Sequence, residues 1–155
     1  MKKTNAMRLI DAKKLSYRVV EYEVDPDDLS GTTVAGKIGL DAERVFKTLL
    51  VQGAKELYFG VVPVDKTLDL KAMAKAVGER KVAMVPMKDL QKLTGYIRGG
   101  VTVLGAKKPF PAVVHETVTG FDEISISAGK RGQQILMSGA DYLAAVDGRT
   151  APIAS

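Results

Sequence analysis

Hydrophobic positions along the chain switch between a helical and a strand period. Over residues 4–15, Met7, Leu9, Ile10 and Leu15 fall roughly on one face, which predicts an amphipathic helix ahead of Ser16. SYRVVEYEVD then alternates as a strand does, and VDPDDLSG breaks the pattern with Pro26 and Gly31. TTVAGKIGL predicts a short helix stopped by Gly39. VFKTLLVQG and ELYFGVVPV read as neighbouring strands across a short turn at Gly53. DLKAMAKAVG places Leu70, Met73, Ala74 and Val77 at helical spacing, with Gly78 positioned as the C-terminal cap.

Further along, KVAMVP predicts a short strand, and PMKDLQKL a helix whose start tolerates Pro86. The glycine-rich connection TGYIRGGVTVLGAKKPFP follows, then three strands in AVVHET, EISISAG and QQILMS. Ser138 and Asp141 have capping-box spacing before a last helix at 139–146, and the tail at 147–155 is expected to fray. About seven strands interrupted irregularly by helices predict a single α/β domain over 1–155. Its sheet is expected to be mixed and mostly antiparallel, with flanking helices.

One strand position conflicts with its surroundings. In VFKTLLV, side chains alternate between faces, so Lys47 shares a face with Val45, Leu49 and Val51. An unpaired ammonium buried there would cost several kcal/mol. Either its stem carries the charge out to water or an anionic group meets it.

Composition narrows the chemistry. The 155 residues are 46% hydrophobic and 26% charged, which is ordinary for a globular domain. No apolar run approaches the ~20 residues needed to span a bilayer, and the N-terminus lacks a signal-peptide core. A cytoplasmic protein with no membrane contact is expected. The net charge of +5 points mildly to a polyanionic partner. With no cysteine and one histidine, the chain has no disulfide, thiolate metal site or Cys-His dyad. A serine triad would have to use His115, for which a structural or surface role in its strand is the better fit. Any catalysis is therefore expected from backbone donors, a lysine or the substrate, without metal or cofactor.

Two further stretches carry candidate chemistry. GYIRGGVTVLGAKK contains Gly95, Gly99, Gly100 and Gly105, with Arg98, Lys107 and Lys108 nearby. Taken alone, it fits a structural turn better than a set of free N–H groups that hold an anion or a carbonyl oxygen. SISAGKRG reads as a hairpin with Gly129 and Gly132 in the turn, and with Lys130 and Arg131 at its tip. Those cations are either solvated or available to phosphates.

FKTLLV, GYIRGG and ISAGKRG, in this order, resemble the YbaK/EbsC family, the stand-alone relatives of the editing domain of bacterial prolyl-tRNA synthetases. The resemblance covers nearly the whole chain. It implies a YbaK-like editing fold and deacylation of mischarged Cys-tRNA(Pro), in which the substrate's own thiol attacks its ester. It also implies a functional role for Lys47 and carbonyl-binding N–H groups at Gly99 and Gly100. Substrate contacts are implied at Tyr22, Thr48, Ser127, Gly129 and Gln134. The tRNA surface would be Arg98, Lys107, Lys108, Lys130 and Arg131, and prolyl-tRNA synthetase the protein partner. Alternatives are a deacylase for another small residue such as Ala-tRNA(Pro), using water, or a non-catalytic module that binds tRNA or a synthetase. The sequence departs from the family at two places. Relatives read GG-x-Ser-Pro-x-Gly where this chain has Gly99-Gly100-Val101-Thr102-Val103-Leu104-Gly105, and some carry an acidic residue near Gln134. The first change is expected to loosen the loop and bring the Thr102 methyl near the pocket. The second is expected to alter amino-acid preference.

Overall fold

The computed structural model describes residues 2–155. Helix α1 spans Asn5–Ala12, where the hydroxyl of Thr4 accepts the Met7 N–H and Ala6, Met7 and Ile10 turn inward. Lys14 adopts φ +58°, so the helix stops short of the predicted residue 15. Strand β1 (Arg18–Glu21) and helix α2 (Gly31–Ile38) follow, α2 being capped by Ser30 and ended by left-handed Gly39. Next come β2 (Phe46–Gln52), β3 (Leu57–Pro63), α3 (Leu70–Val77), β4 (Ala83–Met84) and α4 (Met87–Thr94). The remainder is β5 (Ala112–His115), β6 (Ile124–Ser127), β7 (Gln133–Met137), α5 (Gly139–Ala145) and β8 (Arg149–Ala151).

The predicted mixed, mostly antiparallel pairing holds, but it is divided between two sheets. A five-stranded sheet has the order β4-β2-β3-β5-β8, and a three-stranded one the order β1-β7-β6. Pairings of β2 with β3 and β4, and of β7 with β1 and β6, are antiparallel. Those of β5 with β3 and β8 are parallel. One isolated bridge, Val45 to Ser125, joins the two sheets beside the start of β2.

The tail corrects the expectation of fraying. Residues 149–151 form the edge strand β8, and Ile153 is fully buried with Val51, Tyr58, Val62 and Met73. Asp69 N–H donates to Ile153 O at 2.7 Å, and Thr67 and Ser155 exchange two backbone bonds. Three residues in a sheet with one apolar anchor behind them hold a segment that reads as polar and loop-like in sequence.

Alternation along β2 distributes its side chains among separate cores. Phe46 packs with α1, β6, β7 and Tyr142 of α5, while Leu50 packs with Phe59, Val85 and Val101. On the other face, Val45 joins Ala35 and Val64, and Val51 joins the α3 side. Lys47 lies on that second face, between two apolar clusters. The connection after α4 is also ordered. Tyr96 donates its hydroxyl to Leu104 O at 2.8 Å, and Lys107 N–H donates to Thr94 O at 2.9 Å. The loop that lacks the family's proline is therefore fastened from within.

Candidate active site

β4 pairs with β2 only at Val51 and Gln52, and at the other end the isolated bridge of Val45, just before β2, reaches Ser125. Between them the edge of β2 has no strand partner, and a cleft of about 380 Å³ opens there. One wall is the start of α2, with Leu29, Ser30, Gly31 and Val34. The other is built from Met84, Val85, Met87 and Leu90 with Arg98, Gly99 and Val101. Ser127 and Gln134 of the second sheet complete the lining.

The unpaired edge supplies main-chain groups. Val45 O accepts from Val64 N on the β3 side, and Leu50 O accepts from Val85 N on the outer side. Because direction alternates along a strand, Thr48 shares the outward parity of Leu50, so its N–H and C=O point into the cleft. Thr48, expected as a contact residue, thus offers its backbone as well as its side chain.

Lys47 lines the cleft half-buried, and among the described residues its ammonium makes no hydrogen bond or salt bridge. The two possibilities raised by its strand position resolve in part. No internal anion meets the charge, which is directed to the cleft. Among the described residues, Arg98 is the other ionisable side chain in the lining, and no carboxylate, histidine or cysteine lines it. A group that enters the cleft carrying negative charge or a polarised carbonyl meets two cations in a largely apolar setting.

The glycine pair separates in role. Gly99 has φ +88°, lines the cleft, and its N–H has no partner among the described residues. Gly100 does not line the cleft and donates its N–H to Ile97 O at 2.9 Å, which corrects the expectation that both amides are available. Its requirement for glycine is steric. A Cβ there would lie 3.0 Å from the Cα of Lys130, so the loop and the β6–β7 hairpin touch backbone to backbone.

Ser127 is nearly buried and its Oγ accepts the Gly129 N–H at 3.1 Å, leaving the hydroxyl proton for the cleft. Gln134 accepts the Ser125 hydroxyl on Oε1 at 2.7 Å. Its amide therefore stands fixed in the cleft wall. Gly129 is not in the lining. With φ +102° it makes the hairpin turn, against the ring of Tyr96. Tyr22 also lies outside, in a separate shallow depression with Asp25, Pro26 and Lys37, where its N–H bonds Gly132 O at 3.0 Å. Thr102 is fully buried and does not line the cleft, so its methyl is not a pocket element.

Of the expected tRNA cations, only Arg98 reaches the cleft. Lys107, Lys108 and Lys130 are exposed, and Arg131 is tied to Arg98 O through its Nε. His115 sits buried on β5, two strands from β2, its pKa lowered mainly by burial. The residues missed in the sequence are the wall of α2 and the two methionines. VDPDDLSG reads simply as a turn, although Asp28 fixes it by accepting Ser30 N–H at 3.1 Å and Thr33 Oγ1–H at 2.6 Å.

The fold and site define an α/β domain with a cationic cleft along an open strand edge and no acid–base pair of its own. A family model, the aminoacyl-tRNA editing domain, matches residues 30–145. EbsC of Enterococcus faecalis (strain ATCC 700802 / V583), provisionally named a Cys-tRNA(Pro)/Cys-tRNA(Cys) deacylase, is 42% identical over 152 residues, covering 97% of this chain and 93% of its own. The multifunctional Ser/Thr-tRNA deacylase ProXp-y of Escherichia coli (strain K12) is 21% identical over 137 residues, 87% of this chain and 82% of that one. The crystal structure of a candidate trans-editing enzyme for prolyl tRNA synthetase superposes with a TM-score of 0.84 at 23% identity, covering 100% of this chain and 99% of that chain. The chain belongs to the aminoacyl-tRNA editing domain family, in its YbaK/EbsC group.

Proposed function

We propose that this protein is a trans-editing deacylase that removes cysteine from mischarged Cys-tRNA(Pro). The observation that carries the reading is that Lys47, whose ammonium has no partner among the described residues, and Gly99, whose N–H is likewise unpaired among them, line the same cleft, which holds no protein base among those residues. Such a site favours an ester that brings its own nucleophile.

In this reading the ester carbonyl oxygen is held by Lys47 and Gly99 N–H, and the aminoacyl group lies along the open edge at Thr48. The cysteine sulfur attacks its own carbonyl carbon. A C–S bond forms, the bond from that carbon to the ribose oxygen breaks, and the thiol proton passes through solvent to the ribose oxygen. The products are free tRNA and a cyclic thiolactone. Intramolecular attack reaches effective molarities of about 10⁵–10⁸ M, so placement and carbonyl polarisation suffice. Arg98, Lys107, Lys108 and Lys130 supply phosphate contacts that carry no sequence information. Discrimination among tRNAs then falls to a partner, prolyl-tRNA synthetase, and the setting is the cytoplasm.

The test is single-turnover deacylation of Cys-tRNA(Pro) and Ala-tRNA(Pro), by wild type and Lys47→Ala. Lysine-dependent loss of cysteine alone is expected, with the variant slowed about 100-fold or more, the usual loss for one oxyanion donor. Preference for alanine would move the mechanism to attack by water held at Ser127 and Gln134. No turnover of either would make the chain a binding module.

A further inference from the structure

The mouth of the cleft carries an apolar surface that this chemistry leaves unused. Met84 and Met87 are 44% and 60% exposed and both line the cleft. Met7, Met73 and Met137, by contrast, are core residues at 0%, 0% and 3%. Ile97, 42% exposed, precedes Arg98 of the same wall. Neither Met84, on an edge strand, nor Met87, at a helix start, belongs to a core cluster. Cations frame the patch, with Arg98 in the lining and the exposed Lys88 next to Met87, while Asp89 pairs with Lys92 at 3.1 Å.

We propose that Met84 and Met87 form the seat of the terminal nucleobase of the RNA whose ester enters the cleft. The proposal rests on the deacylase reading and adds the nucleoside subsite to it. A nucleobase offers a flat apolar face, and a thioether is flexible and polarisable enough to lie against it, with sulfur favourable beside an aromatic ring. Met84 pairs with Val51, four residues along β2 from Lys47, or roughly 13 Å at ~3.3 Å per residue. Side chains leaning into the cleft from both ends shorten that span to one a ribose and its base can bridge. Arg98 and Lys88 are then placed for the phosphate that follows. Contact through the base face tolerates any base, which suits an end that all tRNAs share.

The probe is the trinucleotide r(CCA), titrated into protein carrying ¹³C-methyl methionine. Expected are upfield, saturable shifts of the Met84 and Met87 methyl signals, with those of Met7, Met73 and Met137 unmoved as internal controls. Met84→Leu and Met87→Leu assign the two signals. In deacylation, Met84→Gln with Met87→Gln raises KM roughly 3- to 10-fold, a loss within reach of sulfur–aromatic contacts, and the double Leu variant recovers only the part that an apolar face without sulfur supplies. Absence of methyl shifts at millimolar r(CCA) overturns the proposal, as do shifts spread equally over the core methionines. Ligand-free shifts that follow protein concentration also overturn it and assign the patch to a second copy of the chain. The deacylase reading is judged separately, by wild-type turnover of aminoacyl-tRNA, so the two can fail independently.

Discussion

The guanidinium of Arg131, at the tip of the β6–β7 hairpin, donates from Nε to the carbonyl oxygen of Arg98 at 2.7 Å. Its stem also packs against Gly99, where an added Cβ would lie 3.3 Å from Arg131 Cγ and Nε. Arg131 therefore braces the loop that carries Gly99, and we infer that this contact, rather than phosphate binding, is its main part. Arg131→Ala should cost about 1 kcal/mol of stability and lower kcat, with little change in the salt dependence of tRNA binding. Lys107→Ala and Lys108→Ala should do the reverse, each reducing the slope of log K against log salt by roughly 0.7–0.9. Filter binding between low and physiological salt separates the two. A slope change for Arg131→Ala as large as for the lysines would return it to the phosphate surface.

The wall of α2 depends on a single close contact. A Cβ at Gly31 would sit 2.2 Å from Val64 Cγ1 and 2.6 Å from Val64 Cβ, closer than any side chain tolerates. Gly31→Ala should destabilise the protein by about 1–3 kcal/mol and shift the capping Ser30 at the cleft. Val64→Ala leaves the Cβ clash and should rescue little, whereas Val64→Gly should rescue more. Urea midpoints for the two double variants give the coupling. Additive losses in both would show that the helix start moves freely away from β3.

Ile153 anchors the C-terminal segment from a fully buried position. Ile153→Ala should cost about 2–5 kcal/mol, as for other deeply buried aliphatics. Removing residues 148–155 should cost more, because β8 then leaves the edge of β5. Thermal melts decide the matter, and a truncated protein with wild-type Tm would restore the view of a dispensable tail.

How far the sequence spoke for the structure follows from what kind of contact each feature needs. Helices α2 and α3 end at Gly39 and Gly78, and α5 starts at Ser138, because caps are local signals written in one or two residues. The ammonium of Lys47 was visible as an anomaly because alternation along one strand is also local. The cleft was not visible, since it exists only where β4 stops short and α2 and α4 face each other across the edge of β2. The same holds for the second sheet, which a long-range bridge between Val45 and Ser125 joins to the first. Gly99 and Gly100 look alike in sequence, yet one presents its amide and the other is spent on Ile97. Tyr22 lies elsewhere because its strand continues toward Gly132 and not toward β2.

Buried Glu79 fastens the β2–β3 turn by accepting from Ala54 N–H at 3.2 Å, Lys55 N–H at 3.0 Å and the Tyr58 hydroxyl at 2.7 Å. The Tyr58 bond, with the backbone bonds behind it, holds the carboxyl below its ordinary 4.5. The same bond, with burial, pushes the Tyr58 phenol up to about 12. The signs are opposite. Stability from the depressed carboxylate is present above pH 4.5 and is lost as pH falls through its folded value. Stability from the raised phenol is complete below pH 10 and is lost as pH rises through about 12. Urea midpoints against pH should fall at both ends for wild type. Glu79→Gln should be less stable at pH 7 and show a shallower acid limb. An acid limb as steep as wild type would place the titrating group elsewhere.

In the proposed mechanism, a cleft with no carboxylate, histidine or cysteine among the described residues of its lining leaves the substrate thiol to ionise through solvent. The rate of Cys-tRNA(Pro) release should therefore rise about tenfold per pH unit and level off near the thiol's own pKa, about 8.5 for an unperturbed cysteine. Lys47→Ala should lower the whole profile without moving its midpoint, because in the proposed mechanism the lysine acts on the carbonyl and not on the sulfur. Ser-tRNA(Pro), which keeps the ester and the size but loses the thiol, should be released far more slowly, with no plateau near 8.5. Single-turnover rates across pH for the two esters read out all three expectations. A serine ester cleaved as fast as the cysteine ester would show that water attacks. Ser127 and Gln134, which line the cleft, would then be the groups to hold it.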